Sequence, residues 1–307
     1  SNFSVFGNLD YLLSASLKFS IGLRWEDWEA DYSDSLQESF NPTDKMSGGK
    51  ISLIKNMTND TNMYASLARG YKQGGFNLGL GLDANSRNKN LAYDPEFLTN
   101  YELGINTKLL DSRVTFNGVL FYSDREDQQV LISTQTDPSD PNTFSFLTQN
   151  AAEGVNHGLE INMDMDINQS LSAFVNLGIL KTEIKNWQSR QDLKGRAQAH
   201  APERSYALGL NWAPTSHTYL AIDFTGKSSF YYSDSHNNKS KSYVLTNLNL
   251  GYVKNNWNYE LWARNIFDEY YSVRGFYFGN EAPNFIDTLY ERHGDPRHIG
   301  VSIRYDF

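Results

Sequence analysis

Apolar and polar residues alternate one for one along most of this chain. In LKFSIGLRW, Leu17, Phe19, Ile21, Leu23 and Trp25 fall on one face and Lys18, Ser20, Gly22 and Arg24 on the other. GLEINMDMDI sets Leu159, Ile161, Met163, Met165 and Ile167 against Glu160, Asn162, Asp164 and Asp166. SYALGLNW sets Tyr206, Leu208, Leu210 and Trp212 against Ser205, Ala207, Gly209 and Asn211. The last residues place Ile299, Val301, Ile303, Tyr305 and Phe307 opposite His298, Gly300, Ser302, Arg304 and Asp306. A period of two marks strands with two unlike faces; a helix would repeat near 3.6. The runs predict about thirteen strands. They fall near 3–12, 16–32, 46–56, 62–74, 97–109, 112–131, 145–167, 171–186, 203–213, 217–232, 242–253, 257–275 and 297–307.

The connections alternate too. One set is short (LLSAS, TNDT, LDS, NQS, APTSH, KNN) and the other is long and polar, at 33–45, 75–96, 132–144, 187–202, 233–241 and 276–296. Short and long in turn means antiparallel neighbours joined at two unlike ends. A soluble sandwich or jelly roll also alternates, but its strands are shorter, about 5–6 residues. No fixed-period repeat suggests a propeller or solenoid. The pattern predicts an all-β, antiparallel transmembrane β-barrel, with tight turns at one rim and long loops at the other. Hydrocarbon admits strands only in that closed form. Leu159, Ile161, Met163, Leu208, Leu210, Val301 and Ile303 are then expected to face lipid. Glu160, Asn162, Asn211, Ser302 and Arg304 are expected to face the lumen.

Composition agrees once this geometry is considered. A mean hydropathy of -0.56 looks water-soluble, and no stretch approaches the ~20 apolar residues of a membrane helix. Strands that are apolar on one face only average to just such a value. Cysteine is absent, which removes disulfides, thiolate metal sites and cysteine nucleophiles. The net charge of -9 argues against a nucleic-acid partner. Aromatics reach 14% and fall near strand ends, as interfacial girdles do. Trp212, Tyr219, Tyr252, Trp257, Tyr305 and Phe307 lie near short turns; Trp25, Trp28, Tyr71, Tyr122, Tyr231 and Tyr270 lie near long loops.

Four stretches carry a family resemblance: YASLARGYKQGGFN (64–77), GVNHGLEIN (154–162), WARNIFDEYY (262–271) and GDPRHIGVSIRYDF (294–307). With them the chain resembles, over essentially its whole length, the C-terminal barrel of a TonB-dependent outer-membrane receptor of the siderophore type. Barrels of that family have 22 strands around a plugged lumen. The resemblance therefore implies a partial barrel, about thirteen of 22 strands, as one region over 1–307. The first and last strands here would run the same way and could close only as a parallel pair. A plug domain and a TonB-contacting segment are accordingly expected outside this stretch. The resemblance implies a bacterial outer-membrane location, lipid and TonB as partners, and active uptake of a scarce ligand. A ferric siderophore is the leading ligand; cobalamin, haem and a glycan stay open. Ile303, Tyr305 and Phe307 resemble the terminal signal read by the barrel assembly machinery.

Candidate ligand contacts follow from where strands meet long loops. Arg69, Tyr71, Lys72 and Gln73 stand just before the Gly74-Gly75 exit, and His200, His236 and His293 fall in outer loops. The alternative for the first group is loop anchoring. Lys18, Arg24, Lys108, Arg113, Arg264 and Arg304 could make a basic lumen, or pair with Glu26, Glu102, Glu160 and Glu260 on neighbouring strands. His293 and His298 lack zinc spacing, and TDPSDPN lacks the oxygen spacing of a calcium loop; no metal site is expected. No catalytic constellation is expected either. A barrel enzyme would need a Ser or Asp/His pair on adjacent strand tops, and a passive porin is the third reading. No cofactor is implied, since an iron complex would be cargo.

Overall fold

A computed structural model of the chain describes residues 1–33, 39–77, 92–135, 144–187 and 190–307. The TDPSDPN segment lies outside the described residues. In chain order the first strands are β1 (Asn2–Ser14), β2 (Leu17–Glu29), β3 (Tyr32–Ser33), β4 (Ser39–Phe40), β5 (Thr43–Asn56), β6 (Thr61–Lys72), β7 (Gly75–Phe76), β8 (Ala92–Tyr93) and β9 (Glu96–Leu109). There follow β10 (Val114–Gln135), β11 (Phe144–Asn168), β12 (Leu171–Trp187), β13 (Arg204–Trp212), β14 (Thr218–Lys227) and β15 (Tyr243–Lys254). The last are β16 (Trp257–Arg264), β17 (Ser272–Phe278), β18 (Thr288–His293) and β19 (His298–Tyr305). The one helical element among the described residues is a 3-10 turn, Gln191–Leu193.

Thirteen strands form one antiparallel sheet in the order β1-β2-β5-β6-β9-β10-β11-β12-β13-β14-β15-β16-β19. Every neighbour in the sheet is the next long strand in sequence. The three small pairs β3–β4, β7–β8 and β17–β18 lie within long loops. This is the expected all-β, antiparallel architecture, with two runs that end early. The run expected over 217–232 stops at Lys227, and Phe230–Tyr232 belong to the loop that follows. The run expected over 257–275 stops at Arg264. Asn265 and Asp268 adopt φ of 47° and 56°, a left-handed turn that Asn tolerates and a strand does not. The Asn265 side chain fixes that turn: its Oδ1 accepts from Glu269 N–H at 2.8 Å and its Nδ2 donates to the Asp295 carbonyl at 3.2 Å. Ser272–Phe278 then leaves the sheet as half of the β17–β18 hairpin.

Register makes the two faces explicit, because directly paired residues share a face. One row runs Tyr11, Phe19, Leu53, Ala65, Leu103, Leu120, Leu159 and Ile179. Another runs Leu109, Val114, Met165, Ala173, Leu210, Ile222, Leu248, Ala263 and Ile299. The second row starts beside a short turn and ends at the loop side of β19. Such stagger is what tilted barrel strands require. Many of these large side chains are exposed: Leu120 is 54% accessible and Ile299 65%. The expected lipid-facing and lumen-facing residues separate by register as the alternation demands.

The opposite face is polar. A row of asparagines, one per strand, crosses it obliquely from the short turn after β5: Asn56, Asn62, Asn106, Asn117, Asn162 and Asn176. Asn106 Nδ2 donates to Asn62 Oδ1 at 3.0 Å. Large rings on this face lie over cross-strand glycines: Tyr64 on Gly104, Phe174 on Gly209, Tyr219 on Gly251 and Trp262 on Gly300. A Cβ at Gly251 would sit 1.9 Å from the Tyr219 ring. Aromatic cover of a strand glycine pins register where the backbone would otherwise be bare. Tyr219 therefore belongs to the polar face rather than to a girdle. Trp257 and Tyr305 do share the apolar rim by the short turns, with ring centroids 4.8 Å apart.

Candidate functional site

Conventional burial is found at the long-loop end. Ala152, Ile184, Trp187 and Leu193 form a small core, and Leu193 is 1% exposed. Loops rooted on this core have a floor against which to order. The loop between β12 and β13 contributes Arg196, the hub of the neighbouring loop. Its guanidinium donates to the carbonyls of Ser233 and His236, each at 3.0 Å, to Asn237 Oδ1 at 2.8 Å and to Asp234 Oδ1 at 2.8 Å. A planar fork suits such a multipoint grip better than an ammonium would. Arg196 also lies 4.4 Å from the Tyr231 ring centroid, and Lys239 Nζ 4.1 Å from the same ring. One ring thus gathers two cations.

The last loop joins the same cluster. Tyr232 donates its hydroxyl to Glu291 on β18, and its ring covers Gly275 on β17. Burial and that bond push the Tyr232 hydroxyl up to about 12. The Tyr232 bond holds the Glu291 carboxyl below its usual range. Aromatic rings edge the cluster: Tyr277 lies 5.7 Å from His236, and Arg274 sits over Phe276 at 4.7 Å. Lys239 has no carboxylate within ion-pair distance among the described residues, so its charge is available to an incoming anion.

The candidates from sequence divide between two loop groups. Tyr71 is occupied: its hydroxyl donates to Glu26 at 2.8 Å and accepts from Arg24 Nε at 3.0 Å. Arg24 and Glu26 also bond each other at 2.7 Å. Arg69 pairs in register with Thr99 on the apolar face, its cation 4.6 Å from the Phe97 centroid. Lys72 is exposed opposite Glu96, and the Gln73 carbonyl accepts from Gln129 Nε2 at 2.8 Å. Glu96 itself is buried and paired with Arg125. These contacts anchor the first loop group.

The histidines sit in the second group. His200 donates its backbone N–H to the Tyr231 carbonyl at 2.9 Å, with its ring 5.6 Å from Phe230. His236 accepts the Asn238 N–H on Nδ1 at 3.2 Å, and burial pushes its pKa down. His293 lies between the Tyr270 hydroxyl at 2.6 Å and Ser272 Oγ at 3.1 Å. Among the described residues no group of three or more His, Asp or Glu could hold a metal ion. Arg196, Tyr232 and Lys239 escaped sequence reasoning, and Tyr231, expected in a girdle, lies instead in this loop cluster. The signal was modest: paired tyrosines heading a polar loop, FYYSDSHNNKSK.

Comparison with known proteins bears on the whole sheet. Residues 1–266 match the family described as TonB dependent receptor-like, beta-barrel. The chain is 23% identical over 267 residues to the pesticin receptor of Yersinia pestis, covering 84% of this chain and 36% of that receptor. The ferric yersiniabactin uptake receptor FyuA from Yersinia pestis superposes with a TM-score of 0.79 at 19% identity, covering 100% of this chain and 45% of that one. The siderophore receptor PiuA from Acinetobacter baumannii gives 0.76 at 17% identity, with 98% and 42% covered. The chain thus spans less than half the length of these relatives. With sheet, loop asymmetry and family match in agreement, the chain belongs to the TonB-dependent receptors, of whose β-barrel it forms a part.

Proposed function

We propose that residues 1–307 are barrel wall and outer loops of an outer-membrane receptor that takes up a ferric siderophore. Uptake would be energised through TonB, with the outer membrane's lipid around the apolar face. The observation that carries this reading is the loop cluster around Tyr231. There two cations and several rings gather at the long-loop end of a receptor barrel. An anionic chelate with flat ligand groups matches that chemistry, by ion pairing and by stacking. Lys239, Arg274, Tyr277 and His236 are the proposed contacts, with His200 and His293 supporting their loops. Arg69, Tyr71, Lys72 and Gln73 anchor the opposite loop group beside the ligand's path. Ile303, Tyr305 and Phe307 serve delivery by the assembly machinery. Relatives that are named as siderophore receptors support this ligand class.

The test is radio-iron uptake by cells whose only route is the full-length receptor. A panel of ferric siderophores is offered with TonB present, with TonB deleted, and with a protonophore added. Uptake of at least one chelate should vanish in the last two conditions. Uptake that persists without TonB would mean passive conduction and overturn the reading.

A further inference from the structure

The apolar face carries a second feature that siderophore uptake does not use. Charge is absent from the leucine rows of this face and returns toward the long-loop end, where the carboxylates Asp124 on β10 and Glu183 on β12 flank a basic group. On β11, β12 and β13 the returning residues are His157, Lys181 and Arg204. Lys181 is the direct register partner of His157, and Arg204 that of Ile179, one step below Lys181. Direct partners stand ~5 Å apart at Cβ and diagonal ones ~7–8 Å, so the three side chains share one small area. The nearest carboxylate on β12, Glu183, pairs with Lys185 at 2.9 Å and also feels the charges of Lys181 and His157. Neither Lys181 nor Arg204 has an ion pair among the described residues. His157 stacks on Tyr122 at 6.1 Å and 24°, and its buried Nδ1 has no hydrogen-bond partner.

Below this cluster the apolar face is hollowed. A shallow furrow of about 920 Å³ is lined by Leu53, Leu67, Leu103, Leu120, Leu159 and Ile179, with His157 at its edge. It follows the register rows and therefore crosses the sheet obliquely. At β12 it begins beside Lys181, and at β2 it ends at Phe19, next to the short turn. The geometry points to a bound lipid: an anionic phosphate headgroup on Lys181, Arg204 and His157, and an acyl chain laid along the furrow. Charge complementarity selects the headgroup, since cations at the membrane surface attract anionic lipid. The furrow selects a lipid over free phosphate, which has nothing to place there. The inference rests on the outer-membrane reading above.

Full-length receptor, reconstituted in phosphatidylcholine bilayers, is probed with spin-labelled phosphatidic acid or spin-labelled phosphatidylcholine. Phosphatidic acid should be preferentially immobilised. Lys181→Gln and Arg204→Gln should each reduce that preference about fivefold, the factor that ~1 kcal/mol per surface cation corresponds to. Lys50→Gln, on the polar face, should leave it unchanged. In the unmodified receptor, high salt should erase the preference, so the idea is exposed even if a variant folds poorly. Equal immobilisation of both lipids would overturn this inference alone. So would full loss of the preference on adding millimolar inorganic phosphate at constant ionic strength. No immobilised lipid of either kind would overturn the membrane-spanning reading, and this one with it.

Discussion

Tyr232 and Glu291, 59 residues apart, share a hydrogen bond that fastens the loop after β14 to the β17–β18 hairpin. The acceptor is a carboxylate, so the bond belongs to the stronger class, worth about 1.5–3 kcal/mol. Tyr232→Phe removes the hydroxyl and keeps the ring over Gly275. The hairpin should exchange its amide protons faster by roughly tenfold or more, while the thirteen-stranded sheet keeps its protection. Hydrogen exchange read over 272–293 checks this, and an unchanged rate there would show the bond to be idle.

The same cluster has a pH window. Burial depresses the His236 pKa, so the ordered loop favours neutral imidazole. Once pH falls below about 6.5 the disordered loop gains a proton that the ordered one resists. Glu291 is held below its usual range, so its contribution is present above the ordinary carboxylate pKa and is lost as pH falls further. Tyr232 is raised to about 12; its contribution is lost as pH climbs through the ~10–12 interval. Spin labels at Ser235 and Asn280 should give their narrowest distance distribution between about pH 7 and 9. Narrowing at pH 5 would contradict the His236 assignment.

Arg196→Lys keeps the charge and loses the fork. With four acceptors on the neighbouring loop no longer reachable at once, affinity for the proposed siderophore should fall by about tenfold or more, in line with ~1–3 kcal/mol for broken charged hydrogen bonds. Lys239→Gln, which leaves that loop tied, should weaken binding of anionic chelates and spare neutral ones. Titration of tryptophan fluorescence with a matched pair of chelates separates the two effects.

Ile303 faces Tyr259 on the apolar side, whereas Arg304 lies on the polar side beside Asp306 at 3.3 Å. Ile303→Arg, one same-face step from the Tyr305 rim, should cost up to the roughly 2–4 kcal/mol of the bilayer midplane and reduce heat-modifiable receptor in outer-membrane fractions. Arg304→Ser breaks only an exposed ion pair and should leave the amount near wild type. Deleting Phe307 should lower it, if the terminal aromatic is read during assembly.

At the Tyr219–Gly251 pair a ring occupies the volume that a Cβ would need. Gly251→Ala should destabilise the sheet by about 1–3 kcal/mol through overpacking. Tyr219→Ala alone should also destabilise it. Combining the two should cost less than the sum, and a thermal unfolding cycle reads the coupling.

The sheet was legible because its rule is local. Alternation, turn residues and loop lengths are all written in adjacent positions, and thirteen strands emerged from them in the right order. The break at Asn265 was harder, since NIFD lies inside an apolar run and the turn depends on an Asn side chain bonded to Asp295, thirty residues away. The loop cluster was not legible for the same reason at larger scale. Arg196 is one arginine among many until the fold brings Ser233 to Asn237 around it. Tyr71 shows the same distance effect: its place by a long loop is written locally, whereas the bond of its hydroxyl to Glu26, 45 residues away, is not.

The six asparagines on the polar face have a mechanical consequence. Amides do not titrate, and each both gives and takes hydrogen bonds, so this belt is electrically silent from acid to alkali. A polar body moving past it would exchange one partner for the next rather than break away from fixed charges. Such a row would hold a passing polar surface by many exchangeable contacts and not by fixed charges.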